Sequence, residues 1–191
     1  MNGRREGAVG PSVTVRPARR GDATGIARVH VETWRDAYAG MVPDRVLLDL
    51  APRALTASWR RAVAGGDETV RVAVAEAAVV AFGSAGRSRT RALNFAGEVF
   101  TLYVHPDHQG RGIGRRLLAA LFAALAAQGL GSAVIWVLAA NPARQFYRTL
   151  GGRLVAHKTE RLWGADLAQE AFAWDDLGHT LGAGGSLSRT P

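Results

Sequence analysis

Two rhythms of apolar and polar positions divide most of the chain. Val70, Val72 and Val74 alternate with Arg71, Ala73 and Ala75, a period of two that predicts a half-buried strand. Ile26, Val29, Thr33 and Trp34 recur instead at helical spacing. Their helix is opened by Asp22 as a candidate cap and runs to about Tyr38, where Gly40 and Pro43 break it. Before it, Val13-Thr14-Val15 alternates into Arg16-Pro17, a short first strand closed by proline. After it, Asp44 to Leu50 carries Val46, Leu47 and Leu50; Pro52 starts a helix through Ala62 with Trp59 inside, and Gly65-Gly66-Asp67 is a turn. Ala77 to Ala85 is predicted as the second strand of a hairpin, followed by a basic loop, Gly86 to Arg91.

Glu98 to Val104 reads as a further strand. The helix opening at Gly112 carries Ile113, Leu117, Leu121 and Leu125 on one stripe, with Leu118 and Phe122 beside it, and ends at Gly129. Ala133 to Leu138 is apolar without interruption, as in a strand buried on both faces, so strand 98–104, helix and strand 133–138 are expected to form a right-handed crossover with parallel strands. Asn141-Pro142 is a cap followed by proline at the first helical position, and that helix stops at Gly151-Gly152. Strands Arg153 to Trp163 and Leu167 to Trp174 complete the pattern. The expected organisation is one domain, 12–177, between a disordered tail, 1–11, and a flexible tail, 178–191.

Composition narrows the function. The chain has no cysteine, which removes disulfides, thiolate metal sites and a covalent thiol mechanism together. No run of 18 apolar residues occurs and the start lacks an apolar signal segment, so neither membrane nor export is expected and the compartment read is the cytoplasm. The net charge of +8 comes almost entirely from scattered arginines, with Lys158 the one lysine, and no nucleic-acid partner is expected from it. His105, Asp107 and His108 share one short loop and are not read as a metal site.

The chemistry concentrates between Gly97 and Leu118. A strand runs into a tight loop at His105-Pro106, and three alternating glycines, Gly110, Gly112 and Gly114, then open a helix. Glycines let successive backbone N–H groups converge on one point, where the positive end of the helix dipole favours an anion. Arg111, Arg115 and Arg116 add charge suited to phosphate oxygens. A dinucleotide fold does not fit, because five residues separate strand and glycines and Gly131-Ser132-Ala133 stands where its acidic residue belongs; a P-loop lacks its Gly-Lys-Ser/Thr.

Gln109-Gly110-Arg111-Gly112-Ile113-Gly114 resembles the pyrophosphate-binding motif of the GNAT superfamily of N-acetyltransferases, Gln/Arg-x-x-Gly-x-Gly/Ala. The preceding Leu-Tyr-Val-His-Pro and the later Asn141-Pro142-Ala143-Arg144-Gln145-Phe146-Tyr147 resemble the same family, and the likeness runs from Val13 to about Leu177. It implies an α/β fold with a mixed, mostly antiparallel twisted sheet of six to seven strands. A central parallel βαβ crossover would splay its two strands around acetyl-CoA, the co-substrate.

In that reading Gln109, Gly110, Arg111, Gly112, Ile113, Gly114 and Arg115 hold the pyrophosphate. Backbone groups of Leu102, Tyr103 and Val104 pair with the pantetheine arm, and Asn141 and Arg144 join them. A backbone N–H of the same strand edge can polarise the thioester carbonyl. Trp34 and Tyr38 belong to the segment Trp34 to Leu50, which in the family roofs the acceptor site.

An attacking amine must lose its proton, and Glu98, read as in phase with Leu102 and Val104, is the candidate base, directly or through water; an edge carboxylate paired with arginine is the plainer reading. Tyr147 matches the tyrosine assigned in the family to the departing thiolate. A phenol near 10 and a thiol near 8.5 differ by roughly 2 kcal/mol in the wrong direction, so hydrogen bonding is favoured over full proton transfer. His30, Trp34 and Tyr38 share one helix face, either core stripe or pocket wall, and Glu32 and Asp36 form a like-charged pair that either attracts a cationic amine or, the plainer reading, forms a salt bridge to Arg28 or Arg35.

The expected activity is direct transfer of acetyl to a primary amine, small-molecule or peptide, within a ternary complex. The rival is a non-catalytic acyl-CoA sensor on the same scaffold. Edge strands near the C-terminus offer a homodimer surface.

Overall fold

The computed structural model describes residues 12–182 and Leu187. Its strands are β1 (Thr14–Pro17), β2 (Thr69–Ala75), β3 (Ala78–Arg87), β4 (Gly97–Val104), β5 (Ala133–Leu138), β6 (Arg153–Leu162) and β7 (Ala165–Trp174). Its helices are α1 (Ala23–Ala37), α2 (Asp44–Leu48), α3 (Pro52–Gly65), α4 (Ile113–Ala127), α5 (Ala143–Thr149) and α6 (Leu177–Leu181). Seven strands form one sheet in the order β1-β2-β3-β4-β5-β7-β6. Every neighbouring pair is antiparallel except β4 with β5, which α4 joins as the parallel crossover. The parallel crossover is the one the sequence pattern implies, and the mixed, mostly antiparallel sheet around it is the one the resemblance implies.

Helices cover both faces. On one, α4 and α5 bury Leu118, Leu121, Phe122, Leu125 and Tyr147 against Val99, Ile135, Phe172 and Trp174. On the other, α1 and α3 bury Ile26, Val29 and Trp59 against Val70, Val72 and Phe82. A fully buried Leu, Ile or Phe side chain contributes roughly 1.5–3 kcal/mol, so these two clusters hold the helices against the sheet. Among the described residues no helix is long and apolar enough to cross a membrane.

Three local expectations change. Asp22 does not cap α1 with its side chain; it accepts from Arg16 at 2.7 and 2.9 Å and from the Arg19 backbone N–H at 2.6 Å, closing the short turn before the helix. β3 runs on through Arg87, so the basic loop begins one strand-end later. The stretch expected to be loose from Gly178 contains part of α6, where Thr180 is buried, and Leu187 packs into the α4 cluster. The expected tail 1–11, and 183–186 and 188–191 of the other, lie outside the described residues.

Candidate active site

The site is set by where β4 and β5 part. Their ladder holds Gly97↔Ala133, Glu98↔Val134 and Val99↔Ile135 and goes no further. The cause lies in β4. Ser84 faces Thr101 and Ala85 faces Val99, so Phe100 is an extra residue, a β-bulge that bends and twists the strand away from β5. Beyond it, Leu102, Tyr103 and Val104 pair with β3 alone, and their β5-facing edge carries no strand.

The glycine loop closes the end of that edge. Gln109 Nε2 donates to the Val104 carbonyl at 3.1 Å, folding the loop back on β4. His105 accepts the Asp107 N–H at Nδ1 (3.2 Å), and its Nε2 lies 3.0 Å from Glu32 Oε2, which also meets Arg28 at 3.2 Å. The loop is thereby tied to α1, and Glu32 has the Arg28 partner expected for it. Gly110 and Gly112 take left-handed φ values of 70° and 71°, which glycine adopts without cost, and a Cβ at either would meet nothing within 4 Å. The space above them is open, with Ile113, Gly114 and Arg115 forming the first turn of α4, so the loop fits a phosphate group. The arginines divide: Arg111 is exposed, Arg115 Nε donates to the Leu187 carbonyl at 3.2 Å, and Arg116 Nη2 reaches Val13 O at 2.7 Å. Arg116 is therefore a tether for the start of β1.

Across the gap, Asn141 is 6% exposed and its Oδ1 accepts the Ala143 N–H at 2.8 Å, the helix-entry bond expected of it. Arg144 faces Glu170 of β7 at 3.4 Å. Tyr147 is 5% exposed among Phe146, Phe172 and Trp174, and burial pushes its phenol up. Three tyrosines meet here. The Tyr38 side chain, just past the end of α1, lies beside Tyr103 on β4 and Asn141 past β5. The Tyr103 hydroxyl lies between Tyr38 and the Trp34 indole, and burial raises both phenols.

Trp34 leads outward to a cavity of about 480 Å³ lined by His30, Trp34, Val46, Leu50, Leu55 and Trp163, with Arg45 and Asp49 as its charged residues. His30 thus joins the stripe and the wall readings: one edge is packed and the other lines a cavity. Its Nδ1 accepts from Trp59 Nε1 at 3.2 Å, and burial lowers its pKa to about 4. A lowered histidine value means that the neutral form is favoured by folding; the contribution is whole above the unfolded value of 6.5 and lost as pH falls toward about 4. Urea unfolding at pH 7 and pH 4.5 is expected to show a loss of about 2 kcal/mol that His30→Gln flattens.

Glu98 stands on the opposite side of β4 from the expected one. The bulge inverts the alternation, so Val99 and Leu102 both face α4 while Glu98, Thr101 and Tyr103 share the α1 side. Its Oε2 accepts from Arg89 N (2.8 Å), Thr90 N (3.2 Å), Thr90 Oγ1 (3.2 Å) and Ser88 Oγ (3.4 Å), anchoring the basic loop. Sequence reasoning also took Tyr103 for its backbone alone and Trp163 as a strand end. Trp163-Gly164 is instead a two-residue hairpin turn between β6 and β7, with φ of 52° and 81°, a signal present as two alternating runs separated by Xaa-Gly. Among the described residues, no group of three or more His, Cys, Asp or Glu could hold a metal.

Residues 66–151 match the family model described as an acetyltransferase (GNAT) domain. The uncharacterized N-acetyltransferase YuaI of Bacillus subtilis (strain 168) is 32% identical over 166 residues, which is 86% of this chain and 94% of the relative. Among solved structures, an N-acetyltransferase from Staphylococcus aureus Mu50 aligns with a TM-score of 0.68 at 18% identity, covering 87% of this chain and 99% of its own. YncA of Salmonella typhimurium, a putative acetyltransferase solved with acetyl-CoA, aligns at 0.65 and 24%, covering 87% and 94%. PaiA N-acetyltransferase of Thermoplasma acidophilum, solved with coenzyme A, aligns at 0.62 and 20%, covering 83% and 98%. With the glycine loop, the parted strands and a relative matched over most of both lengths, the chain belongs to the GNAT superfamily of acetyl-CoA-dependent N-acetyltransferases and is an acyltransferase.

Proposed function

We propose that the chain moves an acetyl group from acetyl-CoA directly to a primary amine, both substrates being bound at once. The observation that carries this reading is the end of the β4–β5 ladder at Val99–Ile135, immediately before a strand edge that runs into the glycine loop. Two structural relatives solved with CoA or acetyl-CoA support acetyl-CoA as the co-substrate. The amides of Gly110 to Gly114 would take the pyrophosphate, with Gln109 holding the loop in register and Arg111 and Arg115 at its border. Leu102, Tyr103 and Val104 would receive the pantetheine as an added strand, with Asn141 and Arg144 on the far side.

Acetyl-CoA supplies a thioester whose acyl carbon an amine can attack. The backbone N–H groups of the β4 edge are fixed by the sheet and can stabilise the charge that builds on the thioester oxygen without reorganising. Tyr147 remains a protonated phenol and offers a hydrogen bond to the departing thiolate. With no cysteine in the chain, a thiol-bound acyl carrier is absent and direct attack is the simpler course.

Glu98 is assigned the amine's proton, through water, from the α1 side of β4 that it shares with Tyr103. Glutamine keeps an oxygen for the Arg89 and Thr90 amides but accepts no proton. Glu98→Gln is therefore expected to slow acetylation of an amine with pKa near 10 and to spare one near 8, which is already partly free base at neutral pH. Equal loss on both amines would assign Glu98 to the loop alone.

The activity is tested by following CoA thiol release with a panel of amines and the mass of the product. Amine-dependent release with one acetyl group added to the amine is expected. Acetyl-CoA binding without transfer to any amine, peptide N-termini included, would favour the sensor.

A further inference from the structure

The cavity beside Trp34 is built unlike a polar amine site. Its walls are Trp34, Trp163, His30, Leu50 and Leu55, and its charged residues are one cation, Arg45, and one anion, Asp49. Arg45 is partly spent, since Nη2 donates to the Trp163 carbonyl at 2.5 Å. His30 adds no charge, because its Nδ1 accepts the Trp59 N–H. A polycation would need several carboxylates here, and a polyanion several free cations. A body without charge suits this lining, and about 480 Å³ has ample room for an aromatic ring with a side arm.

Trp163 carries the stronger argument. A bulky side chain at positive φ is costly, and the first position of this turn favours Asn, Asp or Gly. Core packing does not compensate, since Trp163 is 43% exposed. It is held edge-on to Trp34 with ring centres 5.6 Å apart, its carbonyl pinned by Arg45. Strain kept at an exposed aromatic over a cavity points to a ligand. Trp34 also packs on Tyr38, with ring centres 4.8 Å apart, and Tyr38 lies beside Tyr103 and Asn141 at the mouth of the β4–β5 gap.

We infer that the acceptor is a small arylalkylamine: an aromatic body packed against the edge-to-face pair of Trp34 and Trp163, and a short arm that carries the primary amine past Tyr103 to the gap. Trp163 is the residue that sets this specificity. The inference rests on the proposed acetyl transfer and names its acceptor class.

The test uses the full chain with acetyl-CoA and three amines, 2-phenylethylamine, spermidine and Nα-blocked lysine, with CoA release as the readout. The expected result is a kcat/KM for 2-phenylethylamine at least about tenfold above the other two. Trp163→Asn should raise the KM for 2-phenylethylamine roughly tenfold and leave kcat and the KM for acetyl-CoA near their original values. Because Asn before Gly164 suits the turn, Tm should not fall, which separates a specificity role from a structural one. Preference for spermidine or lysine, or a Trp163→Asn variant with unchanged selectivity, overturns the inference. Acetyl-CoA binding in calorimetry, with neither turnover nor binding of 2-phenylethylamine, overturns the acceptor class and leaves the cofactor site standing. Failure to bind acetyl-CoA overturns that site and this inference with it.

Discussion

Gly112→Glu is expected to abolish acetyl-CoA binding while leaving the chain folded. Gly112 sits at the entry of α4 with φ of 71°, and a Cβ there meets no atom within 4 Å, so the protein accommodates the side chain at the cost of left-handed backbone strain, about 1 kcal/mol. The ligand does not. A carboxylate would occupy the space over the loop amides and the positive end of the helix, where the phosphate charges are assigned. Losing two charge-assisted bonds at about 1.5–3 kcal/mol each, before any repulsion, predicts a drop in affinity of at least a hundredfold. Calorimetric titration measures it, and circular dichroism checks that the fold persists. Wild-type affinity in the variant would place the pyrophosphate elsewhere.

Tyr147→Phe carries the second large effect, this time on rate. The ring is packed against Phe172 and Trp174 and 5% exposed, so phenylalanine keeps the packing and removes the hydroxyl alone. A hydrogen bond to a forming thiolate at about 2.7 kcal/mol corresponds to a fall in kcat of about a hundredfold, with acetyl-CoA affinity close to unchanged. Burial raises the Tyr147 pKa, so the phenol stays protonated across the working range and no alkaline limb of the pH profile should belong to it. The variant is therefore expected to be slower at every pH with a profile of the same shape. An unchanged kcat would make Tyr147 a core aromatic.

The parts of the fold that were legible in the chain are those governed by local rhythm. The apolar stripe from Ile113 to Leu125, the unbroken run Ala133 to Leu138 and the Asn141-Pro142 entry each specify their element and, together, the parallel crossover. The glycine loop was equally legible, because positive φ at Gly110 and Gly112 is a demand that sequence expresses directly. What escaped depends on pairing. The bulge at Phe100 has no residue signature of its own; it exists because β3 and β4 close at both ends with unequal counts between Ser84 and Val99. It reverses the side chains before it, which moved Glu98 to the α1 side, away from the α4 face that Leu102 and Val104 keep. Asp22 had two uses within reach, and Arg16 on the adjoining strand decided between them. Trp163 was hidden for a similar reason, since its neighbours Trp34 and Arg45 lie more than a hundred residues earlier.

The parted β4–β5 edge and its glycine loop are proposed to bind acetyl-CoA. A thermal-shift titration of the full chain with acetyl-CoA, with NAD as control, addresses this binding most directly. Ligand at about a hundredfold its Kd adds roughly 2.7 kcal/mol, which for a chain of this size raises Tm by about 5–10 °C. That rise with acetyl-CoA, its absence with NAD and its loss in Gly112→Glu are the predicted results. No rise with acetyl-CoA would contradict the account at its foundation.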